Sequence, residues 1–306
     1  MINAQESGSL ITGSINGDNI IFYKKQGYLV APGLLSTDEV VKIARETLAI
    51  CSGKRGEVEG LEPPASGAEG EAVMARYAAI HFPHKISAVL KDIAAHRSIS
   101  RILENIVSPN VKCMQTMLFM KAPGKKGQSW HQDEFYIPTR DRSLTGAWIA
   151  VDDADIANGC LWVVPGSHLE GSIRKRIPYS GDEYADVDRC DISPYSESDF
   201  VPVEVPAGSV VFFNGYLFHS SLRNKTADRF RRALVCHYCS AETMLPWDQD
   251  GRIDKTDDFR DIFMVAGKDP YAYKGTVDLS KPFIRPDVLD FATEEFRERM
   301  KGIQKN

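Results

Sequence analysis

"PAGSVVFFNGYLFHSS" (residues 206–221) carries the signals that decide the architecture of this 306-residue chain. A Pro/Gly turn leads into an apolar run of β-branched and aromatic residues, a Gly-containing bend follows, and a histidine ends the segment. Runs of the same texture recur at "VKCMQTMLFMKAPG" (111–124), "TGAWIAVDD" (145–153), "GCLWVVPGSH" (159–168) and "RRALVCHYCS" (231–240). Several short strands punctuated by Gly, Pro, Asn and Asp indicate an all-β barrel or sandwich. Upstream the pattern is helical. Ser36-Thr37-Asp38 caps a segment whose apolar residues recur at helical spacing, and "KISAVLKDIAAH" (85–96) and "SISRILENIV" (98–107) repeat that spacing. No linker divides the chain, so one domain is expected over 1–306. It comprises a flexible tail at 1–18, a mainly helical part at 19–110, a β core at 111–240 with a lid-like insertion at 171–200, and a C-terminal extension at 241–306. That extension ends in a capped helix within "RPDVLDFATEEFRERMKGIQKN" (285–306), and the Gly/Glu-rich stretch from Gly53 to Glu71 reads as a loop.

Composition narrows the function. A hydrophobic fraction of 43% supports a sizeable core, and a net charge of -5 argues against a phosphate-binding nucleic-acid face. No apolar run approaches the roughly 20 residues of a membrane span, and the N-terminus lacks a basic start followed by an apolar segment. Six cysteines spread thinly over the chain read as reduced thiols, which suggests a cytoplasmic protein. Cys236 and Cys239 form C-x-x-C, but strand geometry turns them to opposite faces, a poor arrangement for one zinc.

The chemistry begins at "WHQDEF" (130–135). On a strand, His131 and Asp133 face the same side. An isolated H-x-D is more often two hydrogen-bonded polar residues than a metal site, so a third ligand is needed. Of the seven histidines, His219 is the best placed, at the end of the opening stretch. Two histidines and one carboxylate form the face that suits non-haem Fe(II) with open coordination positions, whereas structural zinc takes four protein ligands. An arginine entering the strand "RFRRALVCHY" faces the same interior as Ala233, Val235 and His237. Buried there, it needs an anion, and its planar fork matches a carboxylate. His168 reads as a residue of local hydrogen bonding. Tyr136 and Arg140 are candidate substrate contacts, and "RKR" (174–176) is a candidate phosphate contact.

The sets "WHQDEFYIPTRDRSLTGAWIAVDDADIANGCLWVVPGSH" and "VVFFNGYLFHSSLRNKTADRFRRALVCHY" closely resemble the phytanoyl-CoA dioxygenase family of Fe(II)/2-oxoglutarate oxygenases, over roughly residues 111–240. The resemblance implies a mainly β protein with flanking α-helices around a double-stranded β-helix (jelly-roll, cupin-like) core. It implies His131, Asp133 and His219 as iron ligands, and Arg231 as the partner of the distal carboxylate of 2-oxoglutarate, with Arg232 as its nearest rival. It also implies Ser221 and Trp148 as further residues of that co-substrate site. The cofactor set is Fe(II), 2-oxoglutarate and O2, with ascorbate as a reductant. The implied reaction is oxidative decarboxylation to succinate and CO2 coupled to oxidation of a small molecule. Related halogenases carry a small residue where Asp133 stands, so hydroxylation, or another oxygenative outcome such as desaturation, is expected rather than halogenation. A cupin-like metalloenzyme without 2-oxoglutarate and a non-catalytic metabolite-binding member are the alternatives. The sequence specifies neither the substrate nor an oligomeric state.

Overall fold

Ser36 accepts a hydrogen bond from the Glu39 N–H while the Glu39 carboxylate reaches back to the Ser36 N–H, a reciprocal cap that starts α2 (Thr37–Cys51) where the sequence places it. The same device starts the first helix. Asn16 and Asn19 exchange hydrogen bonds, and Gly27 at φ 82 ends α1 (Gly17–Gln26) in the left-handed region. This computed structural model describes residues 8–243, 262–274 and 280–287. Three further helices precede the β portion: α3 (Glu71–Met74), α4 (Ala88–Ala94) and α5 (Arg97–Ile106).

Among the described residues, fourteen strands follow one another along the chain. They are β1 (Tyr28–Ala31), β2 (Tyr77–His81), β3 (Val111–Lys121), β4 (Gln128–His131), β5 (Thr145–Ala150), β6 (Leu161–Val163) and β7 (Arg176–Pro178). After them come β8 (Asp188–Cys190), β9 (Val201–Val203), β10 (Val210–Asn214), β11 (His219–Ser221), β12 (Arg231–Ser240), β13 (Phe263–Ala266) and β14 (Phe283–Pro286). The larger sheet runs β1-β10-β5-β12-β3-β2-β14 with β13 added on β3, and the smaller runs β4-β11-β6-β9. Together they form the jelly-roll core.

Alternation along β12 shows how the layers stack. Tyr238 buries its ring against the helices and donates from its hydroxyl to the Ala94 carbonyl at the end of α4 (2.7 Å). His237, one residue earlier, turns to the opposite face and reaches Asp133 beyond β4. Helices therefore cover one face of the larger sheet, where Ile43, Ile50, Leu90, Ile99 and Leu103 are fully buried, and the smaller sheet faces the other. Between the two sheets lies a cavity of about 1220 Å³. No helix of the described residues is long and apolar enough to cross a membrane.

Several expectations change. Within the expected tail, residues 8–11 are packed: Ser9 and Ile11 are buried, Leu10 bridges to Val30, and the Asn19 side chain holds the Gly8 and Leu10 carbonyls, whereas 12–14 are exposed. Strands β1 and β2 from the helical part, and β13 and β14 from the C-terminal extension, join the larger sheet, so the core extends beyond 111–240 on both sides. Residues 288–306, where the C-terminal helix is expected, lie outside the described residues, and Phe283–Pro286 is strand. The insertion 171–200 contributes the β7–β8 ribbon and lies along β4. Asp186 accepts from the Ser129 N–H, and Cys190 and Ile192 pack with Trp130 and Phe218.

Where β4 begins, Gly127 approaches β11 so closely that a Cβ there would sit 1.8 Å from the Ser221 carbonyl oxygen. The three nearest atoms, from Ser221 and Leu222, are all backbone, so no side-chain rotation relieves the clash. Gly127→Ala is expected to cost about 1–3 kcal/mol of stability, read as a lowered Tm in thermal unfolding.

Candidate metal centre and co-substrate pocket

His219 and His131 are direct cross-strand partners in the β11–β4 pair, so one face of the smaller sheet presents both rings, with centroids 4.1 Å apart. This register brings together residues far apart in the chain. Asp133 does not continue the strand as expected. β4 ends at His131, and Asp133 opens a 3₁₀ turn whose carbonyl accepts from the Tyr136 and Ile137 N–H groups. Glu134 pins that turn, donating its N–H to the Gly215 carbonyl and accepting the Thr139 N–H on its carboxylate. The turn does what the strand was expected to do and aims Asp133 at the two histidines.

The donor atoms of His131, Asp133 and His219 lie within 4.8 Å of one another, and all three side chains are buried. Each histidine uses Nδ1 on a backbone carbonyl two residues back, His131 on Ser129 (2.6 Å) and His219 on Leu217 (2.9 Å). With Nδ1 engaged on a carbonyl, Nε2 is the nitrogen each ring has left to offer a metal. Those nitrogens face Asp133 Oδ1 at 3.7 and 3.5 Å. Burial, followed by His219, pushes the His131 imidazole down to about 3, so at neutral pH it is uncharged. Burial would raise the Asp133 carboxyl, but His219 and His237 outweigh it and hold the group well below its usual range. Three buried ligand atoms thus converge on one point. Such a donor set fits a divalent cation with one face left open.

His237 completes this arrangement in a way the sequence left undecided. Its Nε2 lies 3.0 Å from Asp133 Oδ2 and donates there, leaving Oδ1 turned toward the two histidines. The period-two alternation from Arg231 carries the signal, since it places His237 on the cavity face.

Arg231 also lies on that face, 4% exposed, with its guanidinium 5.5 Å from the centre of the Trp148 ring. Arg232 points the other way and forms a two-point ion pair with Asp152, Nε to Oδ2 at 2.8 Å and Nη2 to Oδ1. The structure therefore puts Arg231, not its neighbour, in the cavity. Ser221 and Trp148 line the same space. One residue there was missed: Lys121, buried at the end of β3, whose Nζ lies 2.9 Å from Ser221 Oγ and 3.3 Å from the Gly159 carbonyl. A lysine closing an apolar strand gives no sequence signal that it turns inward.

Of the outer candidates, Tyr136 lines the cavity with Phe135, Met117, Phe119 and Phe283, whereas Arg140 is exposed and does not. The "RKR" cations are engaged. Arg174 pairs with Glu170 and Lys175 with Asp191, while Arg176 pairs with Asp188 and stacks 5.7 Å from Phe135 and 5.9 Å from Tyr136. His168 does more than local bonding. Its Nε2 reaches the Lys24 carbonyl at the end of α1 (3.1 Å), and its ring fills the space beside Gly27. All six cysteines are buried and unpaired with one another.

The sequence profile of the phytanoyl-CoA dioxygenase (PhyH) family matches residues 23–233. A phytanoyl-CoA dioxygenase of Arabidopsis thaliana is 28% identical over 275 residues, covering 80% of this chain and 95% of that protein. The peroxisomal phytanoyl-CoA dioxygenase of Rattus norvegicus is 31% identical over 245 residues, covering 72% of this chain and 67% of that one. Among solved structures, the non-haem alpha-ketoglutarate-dependent carbocyclase SnoK from nogalamycin biosynthesis superposes with a TM-score of 0.61 at 26% identity, over 83% of this chain and 100% of the other.

Proposed function

Because the chain belongs to the phytanoyl-CoA dioxygenase family and is therefore an Fe(II)- and 2-oxoglutarate-dependent oxygenase, we propose that it hydroxylates a small molecule with release of succinate and CO2. The observation that carries this reading is the convergence of two imidazoles and a carboxylate beside a buried arginine whose Nε has no partner among the described residues. The first feature calls for a cation and the second for an anion. A metal-chelating 2-oxo acid with a second carboxylate satisfies both.

In this reading His131 Nε2, Asp133 Oδ1 and His219 Nε2 hold the iron, and Arg231, Ser221 and Trp148 hold the far end of 2-oxoglutarate. Iron with bound 2-oxoglutarate and O2 supplies the oxidising power: one oxygen atom goes into succinate as CO2 leaves, and the other goes into the substrate C–H bond. The protein's part is placement. His237 fixes the Asp133 carboxylate, Phe213 packs against His219 at 4.6 Å, and Phe119, Phe135, Tyr136 and Phe283 give the space the substrate enters an aromatic wall. Asp133 itself supports hydroxylation over halogenation, since a halide needs the position its carboxylate fills. Residues 1–306 are read as one oxygenase domain, because strands from before 111 and after 240 add to the same sheet.

Anaerobic addition of Fe(II) and then 2-oxoglutarate is expected to produce a visible metal-to-ligand charge-transfer band. A folded protein without that band refutes the co-substrate assignment and leaves a cupin-like enzyme that does not use 2-oxoglutarate. A band with no succinate release across a broad substrate panel indicates a metabolite-binding member instead.

A further inference from the structure

Lys121 and Arg231 stand directly opposite each other in the β3–β12 pair, so both side chains leave the sheet on the same face. Like charges in that position repel, and both are buried, at 6% and 4% exposure. Burial and then Arg231 push the Lys121 ammonium well below its usual range, so an anion arriving between the two is what holds its proton. Neither forms an ion pair among the described residues. Asp152 is occupied by Arg232, and the nearby Cys160 thiol, pushed up to about 12 by burial, is neutral. The acceptors that Lys121 does find are all uncharged: Ser221 Oγ and the Gly159 and Leu222 carbonyls. Three acceptors match the three N–H bonds of an ammonium.

Ser221 shows what this arrangement is for. Its Oγ faces Lys121 Nζ at 2.9 Å and the Gln128 N–H at 3.3 Å. Two donors fill both lone pairs of a hydroxyl, so its own proton has to be donated elsewhere. The residue lines the cavity beside Arg231, so a ligand entering there is within reach as the acceptor of that proton.

We propose that Lys121 is a positioning residue of the co-substrate pocket, which fixes Ser221 as a hydrogen-bond donor and, with Arg231, forms a Lys–Arg cradle selecting 2-oxo acids that carry a second carboxylate. This rests on the 2-oxoglutarate reading above and adds a residue and a selectivity to it. Lys121 touches the ligand through Ser221 and through its field, not as a metal ligand or a proton carrier. A monocarboxylate of the same chain length keeps the chelating end but gives the cradle nothing to hold.

The test is calorimetric titration of the metal-loaded protein under anaerobic conditions with 2-oxoglutarate and with 2-oxopentanoate, for the wild type, Lys121→Met, Ser221→Ala and the double variant. Absence of 2-oxoglutarate binding to the wild type defeats the functional reading itself, before Lys121 is in question. Given wild-type binding, Lys121→Met is expected to weaken 2-oxoglutarate by about ten- to a hundredfold and to leave 2-oxopentanoate unchanged. The double variant is expected to lose no more than the larger single loss, since one residue acts through the other. Equal weakening of both ligands, unchanged 2-oxoglutarate affinity, or fully additive losses each overturn the proposal. Ser221→Ala removes only one oxygen atom, and should Lys121→Met fail to fold it carries the test alone through the same selectivity.

Discussion

Asp133→Ala gives a folded protein that no longer retains ferrous iron, and turnover disappears with the metal. The carboxylate is the one anionic donor among the three, and its Oδ1 is the atom that both imidazole nitrogens face. Removing one partner of a buried charged cluster costs about 3–5 kcal/mol, or roughly two to four orders of magnitude in affinity. His237 loses its acceptor in the same step. The metal-free fold does not share that loss, because the three buried acceptors repel one another when no cation lies between them. The checks are metal content after dialysis, and thermal unfolding with and without Fe(II) under anaerobic conditions. The wild type gains Tm on loading, as any ligand specific to the folded state requires, and the variant does not. Iron retention with full activity in Asp133→Ala refutes the triad.

Arg231→Leu is expected to separate co-substrate binding from metal binding. Iron is retained, while 2-oxoglutarate affinity falls by roughly two to four orders of magnitude, from the loss of about 3–5 kcal/mol when a buried cation is taken from its carboxylate. Arg231→Lys recovers part of this, since an ammonium keeps the charge but not the planar fork that lies against Trp148. In the absence of ligand, Arg231→Leu unfolds at the same temperature as the wild type or higher, because the substitution removes a buried cation held opposite Lys121. Weakened binding with undiminished stability marks a group kept for function. A uniform drop in Tm, iron and 2-oxoglutarate binding instead assigns Arg231 to packing.

How much of this was legible in the sequence depended on the range of the forces involved. The capped helix at Ser36 and the alternating runs of β3, β5 and β12 are local features, and propensity and period are sufficient to find them. The inward face of β12 could be read from the same alternation, which is why Arg231 and His237 could be placed together. What the sequence does not contain is register. That His219 pairs with His131, and that Lys121 stands opposite Arg231, follows from which strands adjoin and by what offset, a property of the whole sandwich. Asp133 shows a subtler limit. The i, i+2 rule gave a shared direction with His131, yet the chain has already left the strand there, and a turn pinned by Glu134 and Gly215 provides the aim. Residues 8–18 looked like a tail because polar composition hides one buried isoleucine and one asparagine that satisfies two carbonyls.

The hydrogen bond between His237 and Asp133 also has a mechanical meaning. His237 belongs to the larger sheet and Asp133 follows the last residue of β4 in the smaller one, so this contact, like that of Lys121 with Ser221 further along, ties the two walls of the cavity together. The walls cannot part at that corner without letting go of the carboxylate that faces the metal site. The spacing of the two sheets and the geometry of the donor set are thus one degree of freedom, and a substitution that wedges the sheets apart, however distant from the histidines, acts on the metal.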